Sequence, residues 1–359
     1  MTYLDYQATT PLAPEAREAM MPWLAGPEAA GFANPHSPHR PGRAAAAAVE
    51  VAREQVAQLL PSGGKVIFTG SATESLNLAI LGRKPGRIAV SAIEHAAVLD
   101  TAQASSAAVD VLGVGRDGIV PDGTFIAAGT DLVAVMQVNN EIGTIQPVAG
   151  LARAAHEAGG LFLCDAVQGA GKLDVPEGAD MIALSAHKLY GPKGIGALWV
   201  RDGVDLAPQI HGGGQEQGLR SGTLSPALCA GFGAAAVLAL ARMKNDADLI
   251  EQLWMRARGI LSDWTLNGSA EQRWHGNLNL RRTGLDVARL MSDVRDIAFS
   301  AGSACASGSG RPSHVLRAIG LDEMQAKASI RLGFGRYTNA RELEEACVKL
   351  DAGAAAQGV

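Results

Sequence analysis

Short runs of consecutive apolar residues alternate with longer stretches whose apolar residues recur at helical spacing. The runs are Lys65–Thr69 (KVIFT), Arg87–Val90, Leu132–Val138 (LVAVMQV), Leu161–Cys164, Met181–Leu184 and Ala197–Val200. Continuous rather than alternating apolarity predicts strands buried on both faces. Helical spacing predicts helices at Pro14–Leu24, Arg43–Leu60, Leu76–Leu81, from Ala96, at Ala149–Ala158 and at Pro226–Met243. This alternation predicts an α/β fold with a mostly parallel sheet and right-handed crossovers. Beyond Met243 the strand runs thin out to Asn277–Leu280 and Ile297–Phe299. Helices are expected there at Asp286–Asp293, His314–Ile319 and Ala340–Leu350. A domain boundary is therefore expected near Met243, and the closing DAGAAAQGV is expected to fray.

The ends of the strand runs carry polar groups. Leu161–Cys164 delivers Asp165 and Gln168, and Met181–Leu184 delivers Ser185, His187 and Lys188. In an open α/β sheet, ligands sit outside the carboxyl ends of the strands. Strand Lys65–Thr69 runs through Gly70-Ser71-Ala72-Thr73 into a helix, whose free backbone N–H groups and dipole suit a phosphate. Past the next strand stands His95, which also reads as a helix cap or a core imidazole. An acid, an amide, a hydroxyl, an imidazole and an amine on one rim suit a charged aromatic aldehyde held covalently by the lysine.

Three further stretches stand outside this rim. Gly26–Gly42 is a long loop, of the kind that is usually functional or mobile. The segment Ser300–Gly310 (SAGSACASGSG) has almost no bulky side chain, which predicts a mobile surface loop with a thiol near its middle. Cys305 therefore reads as a reactive thiol, whereas Cys164, Cys229 and Cys347 read as small buried hydrophobes. Arg331 interrupts the strand-like SIRLG and needs an anionic partner, either a structural carboxylate or a ligand.

Bulk properties narrow the function class. The chain has 359 residues, a net charge of −5, 47 % hydrophobic and 19 % charged residues. That balance fits a soluble globular protein of two domains. No basic run appears, so nucleic acid is not an expected partner. No signal peptide or membrane span is expected, and a cytoplasmic location is the default. The four cysteines lie far apart, which argues against a disulfide framework or a zinc ribbon.

Taken together, LDYQATTP, EHAAVLDT, VNNEIGTIQP, CDAVQGAGK, SAHKLYGPKGIGAL, GGGQEQGLRSGT, SAGSAC and SIRLGFGR resemble the class V, fold-type I pyridoxal phosphate (PLP) enzymes. Among these the chain resembles the cysteine desulfurases of the NifS/IscS type, from Leu4 to about Thr338. The resemblance implies a large domain, residues 12–243, with a mostly parallel seven-stranded sheet between helices. It implies a smaller α+β domain of residues 1–11 and 244–359, carrying a mobile cysteine loop at about 299–312. It implies PLP on Lys188, with Asp165 at the ring nitrogen, Gln168 at the phenolic oxygen and His95 on the ring face. Ala72, Thr73, Ser185 and His187 would hold the phosphate, and Thr223 would reach the phosphate of the neighbouring subunit in a homodimer. Asn34, Asn140 and Arg331 would bind the substrate, L-cysteine, and Asn140 would also contact the cofactor. Lys188, His95 and Cys305 would be catalytic, with Cys305 taking the sulfur as a persulfide for an acceptor protein. No metal site is implied beyond transient ligation of a cluster by that persulfide. The acceptor is left open between an iron–sulfur scaffold and a thiolation protein, because the chain stops where long-loop members continue into a docking surface. Competing readings are another class V enzyme, such as an aminotransferase or a selenocysteine or cysteine-sulfinate lyase, and an idle PLP fold serving sulfur relay. Two positions depart from the pattern: Gly70-Ser71 stands where Ser-Gly is usual, and Ala186 where glycine or serine is common.

Overall fold

The computed structural model describes residues 1–175, 177–302 and 313–359. In chain order the strands are β1 (Thr2–Tyr3), β2 (Gly64–Thr69), β3 (Arg87–Ser91), β4 (Ala108–Leu112), β5 (Leu132–Met136), β6 (Leu161–Asp165), β7 (Met181–Ser185) and β8 (Gly196–Arg201). There follow β9 (Thr265–Leu266), β10 (Asn277–Arg281), β11 (Ile297–Ala298), β12 (Ser300–Ala301) and β13 (Ser329–Gly333). The helices are α1 (Pro14–Met20), α2 (Arg40–Ala57), α3 (Ala72–Arg83), α4 (Ala96–Ala104), α5 (Val148–Glu157) and α6 (Pro226–Ile260). Four more follow: α7 (Val287–Asp293), α8 (His314–Ala318), α9 (Glu323–Lys327) and α10 (Ala340–Ala355).

The large sheet has seven strands in the order β2-β8-β7-β6-β5-β3-β4. Pairing is parallel from β7 through to β4, and β8 runs antiparallel to both of its neighbours. Only residues 186–195 join β7 to β8, too few for a parallel crossover. Every residue of β5 and β7 is buried, as continuous apolar runs require. Strand β4 is absent from the sequence reading. It is an edge strand with Val111 61 % exposed, so no apolar run marks it.

The smaller sheet, β12-β13-β10-β9, is antiparallel, and β1 pairs with β11 in a separate two-stranded ladder. One helix joins the two regions. Ser225 caps α6 and Pro226 opens it. Its Cys229, Phe232, Ala235 and Ala239 pack under the large sheet, while Ile250, Leu253, Trp254 and Ala257 pack in the second core. The helix thus runs well past Met243, where the sequence reading ends it. No glycine or proline interrupts the stretch from Ala234 to Arg258. By length and composition alone it passes for a membrane span, but these residues face both protein cores. The last turns also differ from expectation. Helix α10 continues to Ala355, with Ala354 fully buried and Val359 packed against the second core. Alanine's high helix propensity and small volume allow that close packing.

Candidate active site

The carboxyl ends of β5, β6 and β7 meet in register: Met136 pairs with Asp165, and Asp165 with Ala183. A cavity of about 300 Å³ opens at this edge. It is lined by Ala72, Thr73, His95, Asn140, Asp165, Gln168, Ser185, His187, Lys188 and Arg331. Residues from six separate stretches of sequence are thereby brought together. Asn34 and Thr223 are exposed and lie outside this lining. The Asn34 side chain accepts the His36 backbone N–H at 2.8 Å. Cys305 lies outside the described residues. Among the described residues no cluster of three or more His, Cys, Asp or Glu side chains forms a metal site.

One wall is the start of α3. Ser71 caps the helix by accepting the Glu74 N–H at 3.3 Å, and the Glu74 carboxylate accepts the Gly70 N–H at 2.7 Å. This reciprocal arrangement is close to a capping box, and it explains the Gly70-Ser71 order: glycine at 71 would remove the cap. Glu74 is itself held by Arg220 at 2.7 Å. Strand β8 passes close by at Gly196, where a Cβ would stand 2.5 Å from the Ser71 carbonyl carbon and 2.8 Å from the Ala72 nitrogen. Only glycine lets the strand approach the helix N-terminus this closely. The other unusual position, Ala186, is buried against Gly191, whose missing Cβ would lie 2.9 Å from the Ala186 methyl.

The lining also carries titratable groups. The Asp165 carboxylate is buried and accepts the Val167 N–H at 3.0 Å. Burial pushes its carboxyl up, opposed by that N–H and by the charges of His95 and Lys188. His95 caps α4, its Nδ1 accepting the Ala97 N–H at 3.1 Å, so a neutral ring carries its proton on Nε2. Burial lowers its pKa and favours that neutral form. Burial, and then Lys188, Lys193 and Lys172, hold the His187 pKa down to about 4. It shares a hydrogen bond of 3.1 Å with the Thr9 hydroxyl.

Lys188 follows β7 on a single turn of 3-10 helix, residues Ala186–Lys188. Its ammonium donates to the backbone carbonyls of Gln7 and Ala8, the latter at 2.8 Å. Gln168 Nε2 donates to the same Gln7 carbonyl at 3.0 Å. After β5, the Asn139 side chain accepts the N–H groups of Glu141 and Ile142, at 2.8 and 2.9 Å. That turn presents Asn140, whose carbonyl accepts from Arg331 at 3.0 Å. Arg331, on β13, is also paired with Asp5 at 2.7 Å.

Residues 5–8 are the part of the site that sequence reasoning passed over. They have no strand or helix pattern, and two of their contributions are backbone carbonyls, which no residue type announces. The fully buried Glu94 was also missed. It accepts from the Ser91 hydroxyl and from the Met136 N–H at 2.9 Å, tying β3 to β5 at the residue before His95.

The aminotransferase class-V family matches this chain over residues 2–345. The chain belongs to the aminotransferase class-V family. Within that family it is similar to the cysteine desulfurase IscS of Rickettsia bellii (strain OSU 85-389), at 43 % identity over 97 % of this chain and 89 % of the relative. Its fold is similar to that of a NifS-like protein from Rickettsia africae ESF-5, with a TM-score of 0.89 and 28 % identity over 98 % of this chain and 99 % of that one. It is also similar to SspA, solved in complex with cysteine, with a TM-score of 0.81 and 35 % identity over 94 % of this chain and all of that one. Class-V aminotransferase members imply PLP, and the residues present fit it. A buried acid whose carboxyl is pushed up by burial suits the pyridine nitrogen, and a capped helix end cleared by Gly196 suits the phosphate. Lys188 lines the same cavity.

Proposed function

We propose that the protein is a PLP-dependent cysteine desulfurase that converts L-cysteine to L-alanine and receives the sulfur on Cys305. The observation that carries this reading is one cavity lined by Lys188, Asp165, His95 and Arg331. The likeness to cysteine desulfurases over nearly the whole chain supports it. When bound, PLP supplies an electron sink for the substrate's α-carbon.

Lys188 would hold the cofactor covalently, and its amine would move the substrate's α-proton. Asp165 would pair with the pyridine nitrogen and keep it protonated, so that the cofactor would serve as an electron sink. Gln168 orients the phenolic oxygen. Ala72, Thr73, Ser185 and His187 hold the phosphate, joined by Thr223 from a second subunit of a homodimer. His95 would stack on the ring and act as an acid/base group, presenting Nε2–H as its donor while Nδ1 accepts the Ala97 N–H. Asn34 and Asn140 contact the substrate, and Arg331 binds its carboxylate. The Cys305 thiolate attacks the substrate sulfur. The S–S bond forms as the C–S bond breaks, and that bond's electron pair stays with the three-carbon fragment, which takes up a proton at Cβ and leaves as alanine. Cys305 keeps one extra sulfur, which passes to an acceptor protein. The division into a domain of 12–243 and one of 1–11 with 244–359, and a cytoplasmic location, belong to the same reading.

Purified wild-type protein given L-cysteine and a thiol reductant is expected to yield equimolar alanine and sulfide. Cys305→Ala is expected to abolish both while the cofactor's visible absorbance remains. Full activity in Cys305→Ala would falsify the mechanism.

A further inference from the structure

Arg331 is nearly inaccessible, with a side chain 3 % exposed, yet it lines the cavity. Three distant parts of the chain hold its guanidinium. Nη2 donates to Asp5 Oδ1 at 2.7 Å and to Ser300 Oγ at 3.2 Å, and Nη1 donates to the Asn140 carbonyl at 3.0 Å. The Ser300 hydroxyl in turn donates to Asp5 Oδ1 at 2.8 Å. Nε is buried and has no partner among the described residues.

Asp5 is itself fixed by its neighbours. Leu4 N–H donates to the Ala298 carbonyl at 2.7 Å, Gly333 N–H to the Leu4 carbonyl at 2.7 Å, and Tyr6 N–H to the Gly333 carbonyl at 3.4 Å. The backbone around Asp5 is thus stitched between β11 and the end of β13. Gly333 has no Cβ because the Gln7 side chain and the Tyr6 nitrogen press against that point, at 1.8 and 2.8 Å. A guanidinium grips a carboxylate through two N–H groups in one plane, so that plane must be set before the ligand arrives. An unheld arginine side chain loses rotamer freedom on capture, which weakens binding.

We propose that Asp5, seconded by Ser300, is a positioning residue that sets the plane of Arg331 for the substrate carboxylate. This rests on the desulfurase reading for the identity of the ligand. The two are tested by different readouts. Absence of alanine from wild-type enzyme and L-cysteine overturns the desulfurase reading. Asp5 is judged by spectral titration of the holoenzyme with L-alanine and with ethylamine, which is L-alanine without its carboxylate.

Asp5→Ala is expected to weaken L-alanine binding about tenfold or more, the scale of a lost charged hydrogen bond. Ethylamine binding should stay within about twofold of wild type, because the amine never meets Arg331. Asp5→Asn keeps both acceptor contacts and should recover most of the loss. Equal weakening of both ligands, no weakening of either, or a failure of Asn to rescue would each overturn the proposal. Should Asp5→Ala not fold, Ser300→Ala decides: about threefold weaker L-alanine with unchanged ethylamine supports it, and unchanged L-alanine overturns it.

Discussion

The two ends of the cavity are built by different means. At the end assigned to the cofactor, Asp165, Ser185 and Lys188 sit at or just past the tips of strands in the middle of the large sheet, and β7 is buried throughout. Strand register sets their backbone positions, and the Gln7 and Ala8 carbonyls then hold the Lys188 ammonium. At the end assigned to the substrate, Arg331 is held by Asp5, which is 326 residues away in the chain, and by Ser300 on a two-residue strand. No continuous element sets that geometry. It exists only when the N-terminal segment, the small sheet and the turn after β5 are all in place. The backbone of the first end is thus set by secondary structure, and the second end by tertiary contacts that any one substitution disturbs.

Substitutions at each end should therefore separate cofactor retention from substrate grip. The largest effect is expected for Lys188→Ala, which should lose the visible absorbance of the bound cofactor and reduce alanine formation by at least about a thousandfold. Retained activity would break the assignment of that end. Arg331→Ala should lower kcat/KM for L-cysteine by roughly a hundredfold while leaving cofactor absorbance intact. Loss of cofactor in that variant would erase the distinction between the ends.

A third effect is a pH dependence of stability. Burial pushes the Glu94 carboxyl up to about 8, against the Ser91 hydroxyl and the Met136 N–H that favour its ionised form. Unfolded, the same carboxyl ionises in the ordinary range near ~4.3. Between these values the folded chain keeps a proton that the unfolded chain gives up. Stability should therefore fall as pH rises from about 4.5 to about 8, then level off, a loss on the order of a few kcal/mol. Glu94→Gln has no proton to lose, so denaturant titrations across this window should show a flatter profile than wild type. An identical slope would mean that Glu94 is ionised in the fold. The smallest effect is expected for Gly196→Ala, whose methyl meets the Ser71 and Ala72 backbone. It should destabilise by about 1–3 kcal/mol and weaken cofactor binding, readable as a lower melting temperature of the holoenzyme.

What could be read from sequence follows the same division. The runs that became β5, β6 and β7 were legible because strands buried on both faces are continuously apolar, and the polar residues at their ends then stood out. The sequence reading began the helix after β2 at Leu76, whereas Ser71 caps it and it starts at Ala72, but the helix itself was legible. Strand β4 was not, since its outer residues face solvent, and neither was the second half of α6, whose apolar residues serve a different core from its first half. Arg331 was legible only as a cation in need of an anion. That Asp5 is one such anion depends on how β1 and β13 pack, and the carbonyls of Gln7 and Ala8 carry no residue-type signal.

The central claim is that sulfur from L-cysteine comes to rest on Cys305. Peptide mass mapping of wild-type enzyme after a single turnover with L-cysteine, without reductant, tests it most directly. The peptide containing Cys305 should carry one additional sulfur atom, removable by a reductant, in amount equal to the alanine formed. Alanine released in full with no added sulfur on that peptide would contradict it.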